Sequence, residues 1–207
     1  MPTLKLTYFD SPGRAEPIRM ALHMGGIPFW DHRVKFPEVL EAQARGDLPL
    51  NAVPVFKVDG VTIVQTAAIL RYAAKIGDTS LYPTDPAAAL VVDSALDTMN
   101  DTLSHALMPS LFERDPAKKL AMRAEFAAGP MARALAYVEG LVARSGGPFV
   151  AGKSMSIADL VVAQQVLSIG SGRLDGLTAA MLEPYPRLRA LADAYAKDPR
   201  VVAYAAR

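Results

Sequence analysis

Apolar residues fall into two kinds of pattern along this chain, and the change from one to the other divides it. In the first part, short runs rich in β-branched and aromatic residues predict strands at Leu4 to Phe9, Phe29 to Val34, Val53 to Val58 and Val61 to Val64. The Ser11-Pro12-Gly13 break ends the first run, and Ala15 to Met24 then reads as a helix. Phe36 to Arg45 reads as a shorter, irregular one. Asp59-Gly60 joins the last two strands and is a strong two-residue hairpin signal. Thr66 to Ile76 follows, with Ala68, Ile69, Tyr72, Ala73 and Ile76 at helical spacing. The predicted order is βαβ-α-ββα.

Past a stretch rich in Pro, Gly and hydroxyl residues, the strand patterns stop. The chain is therefore expected to divide into an α/β domain over residues 1–77, a linker over 78–86 and an all-α domain over 87–207. Ala87 to Leu111 reads as one long alanine-rich helix with a kink at Pro109. Ala117 to Phe126, Pro130 to Ala143, Ile157 to Gly170 and Tyr185 to Tyr195 are further helices, and residues 198–207 are expected to form a short tail. Ser156 and Asp159 have capping-box spacing, with Met155 and Leu160 placed to staple the entry. That spacing argues for a structural rather than a catalytic Asp159.

Composition narrows the function classes. The 22 Lys and Arg balance 21 Asp and Glu, which leaves no basic field for nucleic acid and no polybasic anchor for a membrane. Apolar runs stay well short of the ~18 residues that span a bilayer. The opening Met-Pro-Thr-Leu-Lys-Leu has no signal-peptide core, so a cytoplasmic protein is expected. Cysteine is absent, which excludes disulfides, thiolate metal sites and cysteine redox motifs. His23, His32 and His105 are too widely spaced to suggest a metal cluster.

Three features of the first domain could carry chemistry. Tyr8 lies at the carboxyl end of the first strand, facing a helix start, where open α/β sheets bind ligands. A tyrosine there equally suits core or interface. Pro54 after Val53 cannot donate to a sheet ladder, so it belongs at an edge or turn and is a candidate for a cis bond. Gln65-Thr66 sits at a strand-to-helix junction, where Thr66 can cap the helix or, with Gln65, hold a carboxylate.

Each feature is weak alone. In this order and on this frame, they resemble the cytosolic glutathione transferases, in particular the tyrosine-type branch with the pi, alpha and sigma classes. The resemblance runs through the Leu-Thr-Tyr-Phe opening, Gly13-Arg14-Ala15-Glu16-Pro17-Ile18-Arg19, Val53-Pro54, Val58-Asp59-Gly60, Gln65 to Tyr72, and Ser156 to Asp159. It implies a thioredoxin-like first domain, an all-helical second domain and a homodimer, with glutathione as co-substrate and no other cofactor. Tyr8 then resembles the hydroxyl that bonds the glutathione sulfur, and Arg14 the arginine that adds positive potential beside it. Val53 resembles the position whose backbone pairs with the cysteinyl part, with Pro54 cis. Gln65 and Thr66 match the pair that holds the γ-glutamyl carboxylate. Asp101, with Asp97 in reserve, resembles the acid that crosses the dimer interface to the γ-glutamyl ammonium.

The chain departs from the family pattern where the glycyl carboxylate should sit. Arg45 stands at the usual Lys position, Ala52 at the Lys or Gln position, Glu41 at the Trp position and Asn51 at a Gly. Asn51 could supply a polar contact or only tolerate a left-handed turn. Leu50 replaces an aromatic key residue of many dimers, and Ser11 is a weak echo of the serine-type branch. Phe9, Leu103, Leu107, Met108, Val202 and Tyr204 are candidates for the wall of an apolar electrophile pocket, or plain core. The expected activity is conjugation of the glutathione thiolate to small hydrophobic electrophiles. The alternative is a non-catalytic ligand-binding or structural relative of the same fold.

Overall fold

Strand β1 (Leu4–Phe9) alternates buried and half-exposed positions along its length, as a strand with one face on a core must. The coordinates are a computed structural model that describes residues 2–206, the side chains of residues 103–105 excepted. Two compact units make up the chain, Met1–Thr79 and Ser80–Arg207.

In the first unit, β1 pairs in parallel with β2 (Trp30–Val34) and antiparallel with β3 (Val55–Val58), which pairs antiparallel with β4 (Val61–Ile63). The mixed sheet has the order β2-β1-β3-β4. Helix α1 (Glu16–Met24) is the crossover that a parallel β1–β2 pair requires. The β3–β4 turn works because Asp59 and Gly60 take φ of 49° and 85°, the left-handed pair that matches strand twist. β3 starts at Val55, two residues later than the apolar run, because Pro54 has no N–H to give a ladder.

Ile18, Ala21 and Leu22 of α1 and Ile69, Leu70 and Ala73 of α3 (Thr66–Ile76) are buried, and the two helices pack together. Their carboxyl ends meet glycine to glycine. A Cβ added at Gly25 would lie 2.6 Å from Gly77 Cα. Gly25→Ala should therefore cost about 1–3 kcal/mol through overpacking, read as a lower urea midpoint with an unchanged m-value. Helix α2 (Phe36–Ala44) buries only Val39, which explains its weak pattern.

Trp30, the chain's single tryptophan, lies on edge strand β2 with Lys5 Nζ 3.9 Å from its ring centroid and the His32 ring 5.0 Å away. Burial and the Lys5 charge hold the His32 imidazole below its ordinary value, against an opposing pull from Glu38. The folded state thus binds this proton less well than the unfolded chain, so this group's contribution to stability is lost as pH falls below the unfolded value of about 6.5. The two rings are tilted at 51° to each other, and an imidazolium this close to an indole quenches it. Trp30 emission should drop only on acidification below about pH 6.5, and His32→Gln should abolish the drop.

The second unit is all helix: α4 (Pro86–Asp101), α5 (Met108–Phe112), α6 (Pro116–Phe126), α7 (Ala132–Arg144), α8 (Ile157–Gly170), α9 (Pro186–Lys197) and α10 (Pro199–Ala205). The long helix expected from Ala87 to Leu111 is broken earlier than Pro109, by a π turn over Thr102–Leu107. A second π turn, Ala127–Met131, contains Pro130 and leads into α7. Proline gives no N–H to the turn before it, and in both places the chain widens beside one. The expected tail is instead helix α10, capped by Asp198, whose carboxylate accepts from the Arg200 amide at 2.8 Å. Helix α8 is buried nearly all round, which removes the one-sided pattern. No described helix is long and apolar enough to cross a membrane.

Candidate active site

The register of the sheet brings the first-domain candidates to one end. Thr7 faces Val55 and Phe56 faces Ile63. Carrying both ladders on to residue 54 aligns Tyr8 and Gln65 with Pro54. The end of β1, the segment entering β3 and the start of α3 thus share one edge of the sheet.

Tyr8 is 7% exposed, with its ring T-shaped to Phe9 at 5.4 Å between centroids. Its hydroxyl oxygen accepts the Arg14 backbone N–H at 3.1 Å. Accepting uses a lone pair and keeps the phenolic proton for donation elsewhere. The 3₁₀ turn Gly13–Ala15 returns that amide to the phenol, and Gly13 at φ 46° makes the bend. A Cβ on Gly13 would fall 2.5 Å from Tyr8 Oη, so this close approach requires glycine. The Arg14 guanidinium turns to the other segment and donates from Nη2 to the Val53 carbonyl at 3.4 Å. Tyr8, Arg14 and Val53 are brought together. The Val53-Pro54 bond is cis.

Gln65, exposed, sits before α3 at φ 77°, a region that costs a non-glycine residue energy. The buried Thr66 opens the helix. Among the described residues neither makes a side-chain cap, so the capping reading of Thr66 is replaced by an uncapped helix amino terminus.

The segment before Val53 is arranged differently from a simple substitution of the family pattern. Arg45 caps the end of α2 and bonds Asp47 at 2.8 Å, with Glu41 at 3.9 Å. Two carboxylates already face it. Asn51 adopts φ 50°, so the left-handed turn accounts for the residue, and its carbonyl accepts from Gln43 Nε2 at 2.6 Å. Ala52 is exposed.

Phe9 is half-buried and stacks on Phe36 at 6.3 Å. In the second unit Leu107 is buried at 5%, Met108 and Tyr204 are half-buried, and the side chain of Leu103 lies outside the described residues. Asp97 and Asp101 are both exposed on α4. Asp159 is fully buried, and accepts from the Val150 and Ser156 amides and the Ser156 hydroxyl at 2.8, 2.7 and 2.6 Å. This is the capping role that its spacing indicates.

One residue beside Tyr8 escapes the sequence reading. Arg19 is 1% exposed in the middle of α1, and its guanidinium touches Glu16, Asp31 and the loop that follows Tyr8. The signal was a cation flanked by Ile18 and Met20 in an apolar helix, where a charge must be paired.

The glutathione S-transferase N-terminal domain family matches residues 4–75, and the C-terminal domain family matches residues 100–207. Glutathione S-transferase 1 of Ascaris suum is 32% identical over 173 residues, 81% of each chain. Hematopoietic prostaglandin D synthase of Gallus gallus is 29% identical over 207 residues, 99% of this chain and 96% of that one. The crystal structure of the Ascaris lumbricoides glutathione S-transferase superposes with a TM-score of 0.80 at 28% identity, covering 99% of this chain and 97% of that one. The four-stranded mixed sheet, the helical second unit and these matches agree, and the chain belongs to the glutathione S-transferase family of enzymes.

Proposed function

We propose that this enzyme conjugates glutathione to small hydrophobic electrophiles, with Tyr8 donating its hydroxyl proton in a hydrogen bond to the glutathione sulfur. The observation that carries this reading is the Arg14 N–H on Tyr8 Oη at 3.1 Å, which orients a buried phenol as a donor. A donor aimed at sulfur favours the thiolate and lowers the thiol's pKa. The thiolate is the nucleophile. The Arg14 guanidinium, held at the Val53 carbonyl, adds positive potential.

The rest of the tripeptide is assigned from the same sheet end. The Val53 backbone beside cis-Pro54 pairs with the cysteinyl part, and the uncapped start of α3 at Gln65 and Thr66 takes the γ-glutamyl carboxylate. Asp101, or Asp97, meets the γ-glutamyl ammonium of the partner in a homodimer. Arg45 and Asn51 serve the glycyl end, weakly, since Asp47 and Glu41 compete for Arg45. Leu107, Met108 and Tyr204 wall the electrophile pocket, in a protein of the cytoplasm. Residues 1–77 carry glutathione and residues 87–207 the pocket.

Retention on glutathione-agarose and conjugation of chloro-dinitrobenzene test this directly. Binding without turnover, unchanged by Tyr8→Phe, would leave a ligand-binding relative in place of a transferase. A second reading has support in the prostaglandin D synthase relative. The same thiolate would then isomerise a hydrophobic substrate, recognisable as turnover without net consumption of glutathione.

A further inference from the structure

The loop after Tyr8 winds around a single buried cation. Arg19 Nη1 donates to the Ser11 carbonyl at 2.9 Å and more weakly to Pro12 at 3.4 Å, and Nη2 donates to the Phe9 carbonyl at 3.3 Å. Its outer side is held by Glu16 at 3.1 Å and by Asp31 at 3.0 Å. Asp31 in turn accepts from Arg33 at 2.9 Å, and Arg33 reaches Asp10 at 2.9 Å. The Arg19 Cζ lies 5.9 Å from the Tyr8 ring centroid, within reach of a cation–π contact.

Three successive stations on the chain from residue 9 to residue 12 thus have their carbonyls fixed to one planar group. The next two residues deliver the Arg14 amide to Tyr8 Oη. Local sequence does not enforce that path: Ser11, Pro12 and Gly13 are exposed and leave little packing to define it. The five N–H groups of a guanidinium in a rigid fork suit the task, whereas an ammonium has three donors on a flexible stem.

We propose that Arg19 is a positioning residue for the thiolate site: by clamping residues 9–12 it keeps the Arg14 N–H on the Tyr8 oxygen, and so sets how strongly Tyr8 donates to the sulfur. It touches no substrate. The proposal rests on the reading of Tyr8 as the sulfur's donor. The charged groups facing Arg19 are Glu16 from its own helix and Asp31 from β2, with Arg33 and Asp10 behind Asp31. Among the described residues, the charged groups that touch Arg19 directly are both carboxylates.

The experiment follows the thiolate absorbance of glutathione bound to the full-length enzyme as a function of pH. Arg19→Lys should raise the apparent pKa of the bound thiol by about one unit while the glutathione Kd changes less than about threefold, because Val53, Gln65 and Thr66 lie outside the clamp. In a Tyr8→Phe background, Arg19→Lys should give no further shift, since the two act on one hydrogen bond. Asp31→Asn, which loosens the guanidinium from its outer side, should shift the thiol in the same direction by less, and decides the matter if Arg19→Lys does not fold. An unchanged titration in whichever of these variants folds, or a further shift in the Tyr8→Phe background, overturns the proposal. If Tyr8→Phe itself leaves the thiol pKa unmoved, the assignment of Tyr8 fails, and that of Arg19 with it. A shift with Tyr8→Phe but none with Arg19→Lys or Asp31→Asn sinks the role of Arg19 alone.

Discussion

Tyr8→Phe should lower kcat/KM for conjugation by about 10²-fold at neutral pH, the usual cost of removing one preorganised donor from an anion. The size can be divided. A thiol with an ordinary pKa of about 8.5 is about 3% ionised at pH 7, so ionisation alone accounts for at most about 30-fold. Anything larger must come from aligning the sulfur toward the electrophile. The two parts separate with pH. Raising the pH above about 9 ionises the thiol without help, so the deficit should shrink to the orientation part. The Tyr8 ring stays in place, T-shaped to Phe9, and the variant should keep its glutathione affinity within a few-fold. A pH-independent deficit would show that Tyr8 orients the sulfur without ionising it.

Asp159→Ala should cost about 3–5 kcal/mol of stability, more than any surface change in the chain. Its carboxylate satisfies the amides of Val150 and Ser156 and the hydroxyl of Ser156, all buried. Each donor left unmet costs about 1–3 kcal/mol. Helix α8, which the cap starts, packs on both α4 and α9, so the loss spreads through the helical unit. Burial pushes the Asp159 carboxyl up to about 6, although its three donors pull the other way. A raised acid pKa means the folded state holds this proton more tightly than the unfolded chain. Stability from this group therefore falls as pH rises from about 4 to about 6, by at most about 3 kcal/mol, and is flat above. Asp159→Asn removes the titration. The gap in unfolding free energy between wild type and Asp159→Asn should narrow across that window; a gap that widens would contradict the burial argument.

The first domain is the more legible part of the sequence because its signals are local. A β-branched run makes a strand, Asp59-Gly60 makes its hairpin turn, and Thr66–Ile76 shows its buried face at helical spacing. The Ser156–Asp159 cap is equally local, since both partners of the capping box lie within four residues. What escaped depends on partners distant in sequence or on small departures from regular geometry. Arg19 reads as one more helix residue until Asp31, on another strand, supplies its partner. Arg45 looks like a free cation for a ligand until Asp47 turns back on it. Helix α10 is seven residues long, buries only Val201 and rests on a cap from Asp198. The break in the long helix was expected at the proline and lies before it.

That break has a consequence for reading and altering the chain. A π turn is an α-helical path with a residue to spare, and each residue in a helix is worth about 100° of rotation. Residues after Leu107 are therefore out of phase with those before Thr102. Deleting a single residue within 102–107 would therefore restore an even helix and leave the inward face of α5 where it is, because the wider turn already absorbs the spare residue. The same deletion within the even helix Pro86–Asp101 has no slack to draw on and would turn the side chains after it by about 100°, with no substitution in any of them.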